Sequence, residues 1–142
     1  MVSDRLLSGM NRVHRFVIRV TGGRLGWQAG RMPVLELTTT GRRSGQPRSL
    51  LLTAALVLDD TYVVVASRGG DDRHPAWYLN LVEHPEVEVS IKGRPRERRR
   101  ARVASAGERA ELWPRVERSY RGYRAYQRRT SRQIPLVLLE PI

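Results

Sequence analysis

Hydrophobic and polar positions alternate without a break over EVEVSI, Glu86 to Ile91, the period-two pattern of a strand with one buried face. Four other runs are apolar or β-branched over consecutive positions: 33–40, 49–58, YVVVAS at Tyr62–Ser67 and IPLVLLE at 134–140. Bounded by turn residues, these predict buried strands, and Asp59, Asp60 and Thr61 make a tight turn that joins the second run to the third in a β-meander. After Gly93 and Pro95 turn the chain, RRRARVA at 98–104 returns as a strand with arginine on its outer positions. Helical spacing replaces alternation in three places. In DDRHPAWYLNLVEHP, Asp71 or Asp72 is a candidate cap, Pro75 sits in the first turn and Pro85 closes a short helix. Glu108 to Arg128 reads as helix, broken or restarted at Pro114. In RLLSGMNRVHRFVIRV, residues 5–20, Leu6, Leu7, Met10, Val13, Val17 and Val20 recur at helical spacing, with Arg12, Arg15 and Arg19 mostly opposite. The expected fold is mainly β with helices (α+β): a small closed or half-open barrel of about six strands behind an N-terminal amphipathic helix.

Composition narrows what such a barrel can do. At 142 residues the chain is one ordinary domain with room for a real core. Its formal charge of +12 would draw nucleic acid, acidic lipid or a polyanionic small molecule. Lys92 is the sole lysine among 26 basic residues, an arginine bias of the kind a GC-rich coding sequence imposes on solvated surface. Absence of cysteine excludes disulfides, thiolate metal sites and cysteine nucleophiles. His14, His74 and His84 show no metal-ligand spacing, so no metal is expected. No secretory signal is visible and no stretch reaches the roughly 18 apolar residues that span a bilayer, so a cytoplasmic location is expected. The helix over 5–20 either packs on the domain or lies on an anionic membrane, which would place the protein at the inner face of the cell membrane.

Three constellations carry chemistry. TTTGRRSGQPRS, Thr38 to Ser49, joins two strands through glycines, hydroxyls and Arg42, Arg43 and Arg48, donors suited to phosphate, although it lacks the GxxxxGK[ST] of a P-loop. ASRGG at 66–70 is a second strand-to-glycine junction bearing a hydroxyl and an arginine. HPAWYLNL brings Trp77 and Asn80 to a helical spacing of three. Taken singly, these read equally well as surface turns, a core tryptophan and a helix cap. Tyr120, Tyr123 and Tyr126 also fall three apart, a stripe that is either core or the wall and proton donor of an aromatic site. Aromatics are otherwise scarce, at 6% of the chain, which favours the second reading.

LELTTTGRRSGQPRSLLL, VVVASRGGDDRHPAWYLNLVEHPEVEV, the ARV strand, ERAELW and YQRRTSRQIPLVLLEP together resemble the deazaflavin-dependent nitroreductases, quinone- and nitro-reducing enzymes that use reduced coenzyme F420. The resemblance runs from about Gly30 to the C-terminus. It implies a split β-barrel of the FMN-binding type over residues 30–142, with the amphipathic helix and a linker over 1–29. It implies further that Arg42, Arg43, Ser44 and Arg48 bind the phosphate and polyglutamate tail. Ser49, Leu50, Leu51, Leu52, Thr53, Ala66, Ser67, Arg68, Ala76, Trp77, Tyr78 and Asn80 would line the coenzyme. Tyr120, Tyr123 and Tyr126 would shape the substrate pocket, with Tyr123 also against the coenzyme and Ser67 near the chemistry. Family members often read PRxTPL where this chain reads PRSLLL at 47–52, a departure that bears on that strand's contacts. The implied reaction moves hydride from the reduced deazaflavin to a quinone, nitro compound or other electron-poor acceptor.

Two rival readings stand beside it. A basic barrel that binds single-stranded nucleic acid needs aromatics on its strands, whereas Trp77, Trp113 and the tyrosines sit on helices or their starts, so no nucleic acid is expected. The other is a related split barrel that takes FMN, or that holds a cofactor without catalysis.

Overall fold

The structure, a computed structural model, describes residues 28–29, 32–91 and 93–142; the amphipathic segment 5–20 lies outside them. The described residues form eight strands: β1 (Gln28–Ala29), β2 (Met32–Thr40), β3 (Pro47–Thr53), β4 (Leu56–Leu58), β5 (Thr61–Val65), β6 (Glu86–Ile91), β7 (Glu97–Val103) and β8 (Leu136–Pro141). The helices are α1 (Ala76–Glu83), α2 (Ala106–Ser119) and α3 (Gly122–Arg128), with one 3-10 turn at Arg68–Gly70. No helix among the described residues is long and apolar enough to cross a membrane.

Strand order is β1-β2-β6-β7-β8-β5-β4, with β3 also on β2, and every pairing is antiparallel. The apolar run 49–58, read from sequence as one strand, is divided at Ala54–Ala55. There the backbone N–H of Ala54 donates to the Pro33 carbonyl and that of Ala55 to the Val63 carbonyl, both at 2.8 Å. One chain thus leaves β2 and joins β5 within two residues, which completes the curl of the split barrel. Both alanines are buried, and a larger side chain at this corner would meet the core on either side.

The apolar patterns follow from what covers each face. Val64, Val137 and Leu139 point into the barrel interior with Leu35, Leu37, Val87 and Val89, and Trp77 and Leu81 of α1 pack into the same cluster. Val63, Val65, Leu136 and Leu138 point outward, where Leu112 and Val116 of α2 and Tyr123 of α3 cover them. Strands β5 and β8 are therefore buried on both faces and read as continuous apolar runs, while β6 keeps one wet face and alternates. Arg99 on β7 breaks this rule. Its guanidinium is buried, donates to the Leu139 carbonyl at 2.9 Å and to the Asp60 carbonyl, and stacks 4.6 Å over the Tyr62 ring.

Helix boundaries moved for identifiable reasons. Pro75 is itself the N-cap of α1, and Asp71 is turned away to Arg68 and the Arg73 backbone N–H. Helix α2 runs through Pro114 without a break and stops instead at Tyr120, where the backbone becomes extended. Gly122 then allows the Tyr120 ring to fold over it, since a Cβ at that position would lie 2.1 Å from the ring. At its start α2 carries a capping box: Glu108 N–H donates to Ser105 Oγ (3.2 Å) and Ser105 N–H donates to Glu108 Oε1 (2.9 Å). Arg102 grips the same carboxylate through two bonds of 2.7 and 2.9 Å and reaches Glu140 at 3.0 Å, tying the helix to β7 and β8.

Donation from Arg102 first, and from the Ser105 backbone second, pulls the Glu108 carboxyl down to about 2. Its folded value lies below its ordinary one of 4.5, so the stabilisation is complete above pH 4.5 and is lost as pH falls toward 2. Between those limits the melting temperature of Glu108→Gln is expected to fall less steeply than that of the wild type. Parallel slopes in a thermal melt series would show that Arg102 does not hold this carboxylate.

Candidate functional site

The glycine–arginine seam is the hairpin between β2 and β3, closed by Gly41 N–H to the Gln46 carbonyl and Gly45 N–H to the Gly41 carbonyl, each 2.8 Å. It is fastened from beneath by Asn80 of α1. The buried Asn80 amide donates to Thr39 Oγ1 at 3.1 Å, and its oxygen accepts from the Arg42 backbone N–H at 3.0 Å. A cross-strand bond of 2.7 Å between the hydroxyls of Thr38 and Ser49 sets the register just inside the turn. Arg43, Ser44 and Arg48 are exposed and Arg42 half-buried. Arg48 donates to Ser44 Oγ at 3.5 Å, yet no ion pair joins Arg42, Arg43 or Arg48 to a carboxylate among the described residues. Three guanidinium groups on a buried anchor, without acidic partners among the described residues, form a basic edge whose donors are chemically suited to an anion.

From that edge β3 runs along β2 to Thr53. Five residue steps from Arg48 make this about 17 Å at the usual strand rise. At the far end Thr53 Oγ1 lies 3.1 Å from the Tyr123 hydroxyl, which also approaches Met32 Sδ at 4.0 Å. The stripe expected from the spacing of three is realised as a cluster. Tyr120 and Tyr123 meet edge to face with centroids 5.2 Å apart, and Tyr126 lies 6.1 Å from Tyr123 and 6.3 Å from Tyr120. Burial pushes the Tyr123 hydroxyl up, and burial followed by hydrogen bonding to Tyr120 pushes Tyr126 up to about 12. Both hydroxyls therefore stay protonated at neutral pH. Tyr123 is buried, Tyr126 half-buried, and Tyr120 is 44% exposed at the edge of the cluster.

The third part is the loop after β5. Ala66 is buried and Ser67 half-buried. Arg68, Gly69 and Gly70 have φ of 47°, 65° and 86°, three successive left-handed residues, a conformation that costs roughly 1–2 kcal/mol for the non-glycine Arg68. Its guanidinium is turned inward to Asp71, 2.6 Å away, and both side chains are buried. The Arg73 backbone N–H, together with the charges of Arg68 and Arg73, holds the Asp71 carboxyl below its ordinary range against the opposing effect of burial. Gly70 is packed against α3 so closely that a Cβ would lie 2.7 Å from the Tyr126 carbonyl oxygen. The loop and the tyrosine helix are thereby in direct contact.

The structure brings together Arg42, Arg43, Ser44 and Arg48 at one end of β3 and Thr53, Tyr120, Tyr123 and Tyr126 at the other. Ser49, Leu50, Leu51 and Leu52 form the strand between them, and Leu51 is buried. Trp77 is a core side chain of the barrel interior, Ala76 is exposed, and Tyr78 is half-buried against His74 with ring centroids 4.7 Å apart. Arg132, which no sequence motif singled out, reaches the loop 66–74 with all three guanidine nitrogens. Gln127 braces it, accepting from Ile134 N–H at 2.9 Å and donating to the Arg132 carbonyl at 2.7 Å.

A family model described as F420H(2)-dependent quinone reductase matches residues 10–141. The chain is 42% identical over 132 residues to an F420H(2)-dependent quinone reductase of Mycobacterium tuberculosis, covering 90% of this chain and 87% of that protein. A solved structure described as a domain-swapped dimer superposes with a TM-score of 0.68 and 33% identity, over 93% of this chain and 99% of its own. An F420-H2 dependent reductase (FDR-A) superposes with a TM-score of 0.66 and 36% identity, over 76% of this chain and 94% of its own. The split barrel expected from sequence is the fold found.

Replacing Asn80 by leucine, which has the same branching but is bulkier, would leave the buried Thr39 hydroxyl and the Arg42 N–H without their partner. A loss of about 1–3 kcal/mol is expected in urea unfolding. A loss below about 0.5 kcal/mol would mean that the seam is held by its own turn and not by α1.

Proposed function

The chain belongs to the F420H(2)-dependent quinone reductase family, and from that premise we propose that it holds reduced coenzyme F420 along β3 and reduces a quinone at the tyrosine end. The observation that carries this reading is the basic edge itself: Arg42, Arg43 and Arg48 have no acidic partner among the described residues and stand at one end of a strand that ends on three tyrosines. A coenzyme with a phosphate and several carboxylates beyond a flat ring suits that donor set. FMN, with one phosphate, would leave much of the arginine edge unused. When bound, the reduced deazaflavin supplies a hydride to the electron-poor acceptor, which also takes up a proton.

The chain's own groups then have separable roles. Arg42, Arg43 and Arg48 neutralise the tail, with Ser44 donating beside them, while β3 and the loop 66–68 orient the ring. Burial of the Tyr123 and Tyr126 hydroxyls keeps both protonated, so either can donate to an acceptor oxygen as negative charge develops on it. Tyr126 is the less enclosed of the two, since Tyr123 is buried and lies within bonding distance of Thr53. Nitro compounds would enter the same site as flat, electron-poor acceptors. Fluorescence titration with F420 and with FMN, followed by oxidation of reduced F420 by a soluble quinone and by a nitroarene, tests the reading. Equal affinity for FMN, or no turnover with either acceptor, would overturn it.

Two predictions follow from the division between tail and acceptor. Arg42→Ala and Arg48→Ala should each weaken F420 binding by about 1–3 kcal/mol, or 5- to 150-fold in dissociation constant, and added salt should weaken the wild type in the same direction. A double variant within twofold of wild type would remove the tail from this edge. Tyr126→Phe should keep F420 affinity and lower kcat and kcat/KM together, a tenfold loss corresponding to about 1.4 kcal/mol. The same change at Tyr123 should cost less turnover than at Tyr126. Full activity in both phenylalanine variants would make the tyrosines walls only, with solvent as the proton source.

A further inference from the structure

Arg132 lies in the segment between α3 and β8, and its half-buried guanidinium spends its donors on a single loop far away in sequence. Its Nε donates to the Asp71 carbonyl at 2.9 Å, and its Nη2 donates to the carbonyls of Ser67 (2.9 Å) and Ala66 (3.2 Å). Its Nη1 lies 3.2 Å from His74 Nδ1, which fits a neutral imidazole accepting through that nitrogen. These partners are 58 to 66 residues away along the chain. Arg129 adds a bond from Nη1 to the Gly69 carbonyl at 3.1 Å, so the carbonyls of four of the six residues 66–71 face arginines carried on the tyrosine side. Within the loop itself two backbone bonds are made, Gly70 N–H to Ser67 and Asp71 N–H to Arg68. They do not by themselves select three consecutive left-handed residues.

We propose that Arg132 is a positioning residue for the coenzyme: by gathering the carbonyls of Ala66, Ser67 and Asp71 on one side, its guanidinium sets the path of the loop that meets the ring. The proposal rests on the reading above that Ala66, Ser67 and Arg68 contact the coenzyme. Fork geometry is the essential property. A guanidinium presents five N–H groups in a plane and can serve four acceptors at fixed angles, whereas a lysine ammonium offers three donors from a single nitrogen and cannot span the same set. Lysine at 132 therefore keeps the charge and loses the shape. The His74 contact extends the same effect to the entry of α1, because the His74 ring packs at a tilt against Tyr78 and His74 immediately precedes Pro75, the helix cap.

The test uses the full chain. In Arg132→Lys we expect F420 to bind at least tenfold more weakly by fluorescence titration, with a melting temperature near that of wild type. The salt dependence of binding should be retained because Arg42, Arg43 and Arg48 are intact. Without ligand, amide hydrogen exchange should quicken at 66–74 and remain unchanged in β2, β6 and β7. An F420 dissociation constant within twofold of wild type overturns the proposal, as does unchanged exchange at 66–74. Ser67→Trp, which adds bulk to the loop while keeping the backbone carbonyl that Arg132 bonds, separates the proposal from its premise. If Ser67→Trp weakens F420 binding and Arg132→Lys does not, only the positioning role fails. If Ser67→Trp leaves binding unchanged, the loop is not at the coenzyme, and the site reading and this proposal fall together. Should Arg132→Lys not fold, His74→Leu removes one acceptor of the fork; a threefold weakening of F420 with faster exchange at 66–74 supports the proposal, and unchanged affinity overturns it.

Discussion

Two consecutive N–H groups that donate to different strands make the corner at which this barrel curls closed. Ala54 donates to Pro33 on β2, and Ala55 donates to Val63 on β5. Because adjacent residues of an extended chain direct their hydrogen bonds to opposite sides, a single small-residue step can transfer the chain from one sheet edge to another. The consequence is geometric. With β3 fixed on β2 and β4 fixed on β5, the arginine seam must stand at one end of the strand and Thr53 at the other, directly before the corner. Alanine suits the position because both sides are already filled by the interior cluster and by the cluster beneath the helices.

Arginine serves three physical purposes in the same molecule. At the seam it is exposed or half-buried, unneutralised by carboxylates among the described residues, and available to an anion. On the outer faces it pairs with glutamate, as in Arg102 with Glu108 and Glu140 or Arg98 with Glu86, where exposure and screening keep the contribution small. In Arg99, Arg109 and Arg132 it functions as a fastener, donating to backbone carbonyls such as those of Leu139, Ile134 and Ser67. A planar, always-charged group with five donors is the side chain best suited to collect carbonyls that no strand or helix satisfies.

The tyrosine helix connects these parts. Its Tyr123 reaches Thr53 at the end of β3, its Tyr126 backbone lies against Gly70, and Arg129 just past its end bonds to Gly69. Any change in where α3 rests therefore moves the strand end and the left-handed loop together. Such coupling through packed, hydrogen-bonded elements keeps the end of β3 and the loop 66–71 in register.

Much of this was legible along the chain. Alternation marked β6, continuous apolar runs marked β5 and β8, and the spacing of three placed Tyr123 and Tyr126 together on α3, because these are local consequences of period and side-chain direction; Tyr120 joins them instead from the extended residue that ends α2. The seam was legible as a strand-to-strand turn, since glycine and proline between two β-branched or apolar runs mark one. What the chain could not disclose was contact between distant residues. Ala54–Ala55 looks like the middle of one strand until two different partners claim its N–H groups, and Pro114 looks like a helix break until α2 runs through it. Arg68 and Arg132 are indistinguishable in sequence from the exposed arginines around them, because burial and hydrogen bonding are properties of neighbours and not of composition. Sequence by itself determined most of the strands, the basic turn and the residues of the aromatic cluster through local periodicity; which arginines face solvent and which fasten the fold was decided only by tertiary packing, since the acceptors of Arg99, Arg109 and Arg132 lie 25 to 66 residues away along the chain.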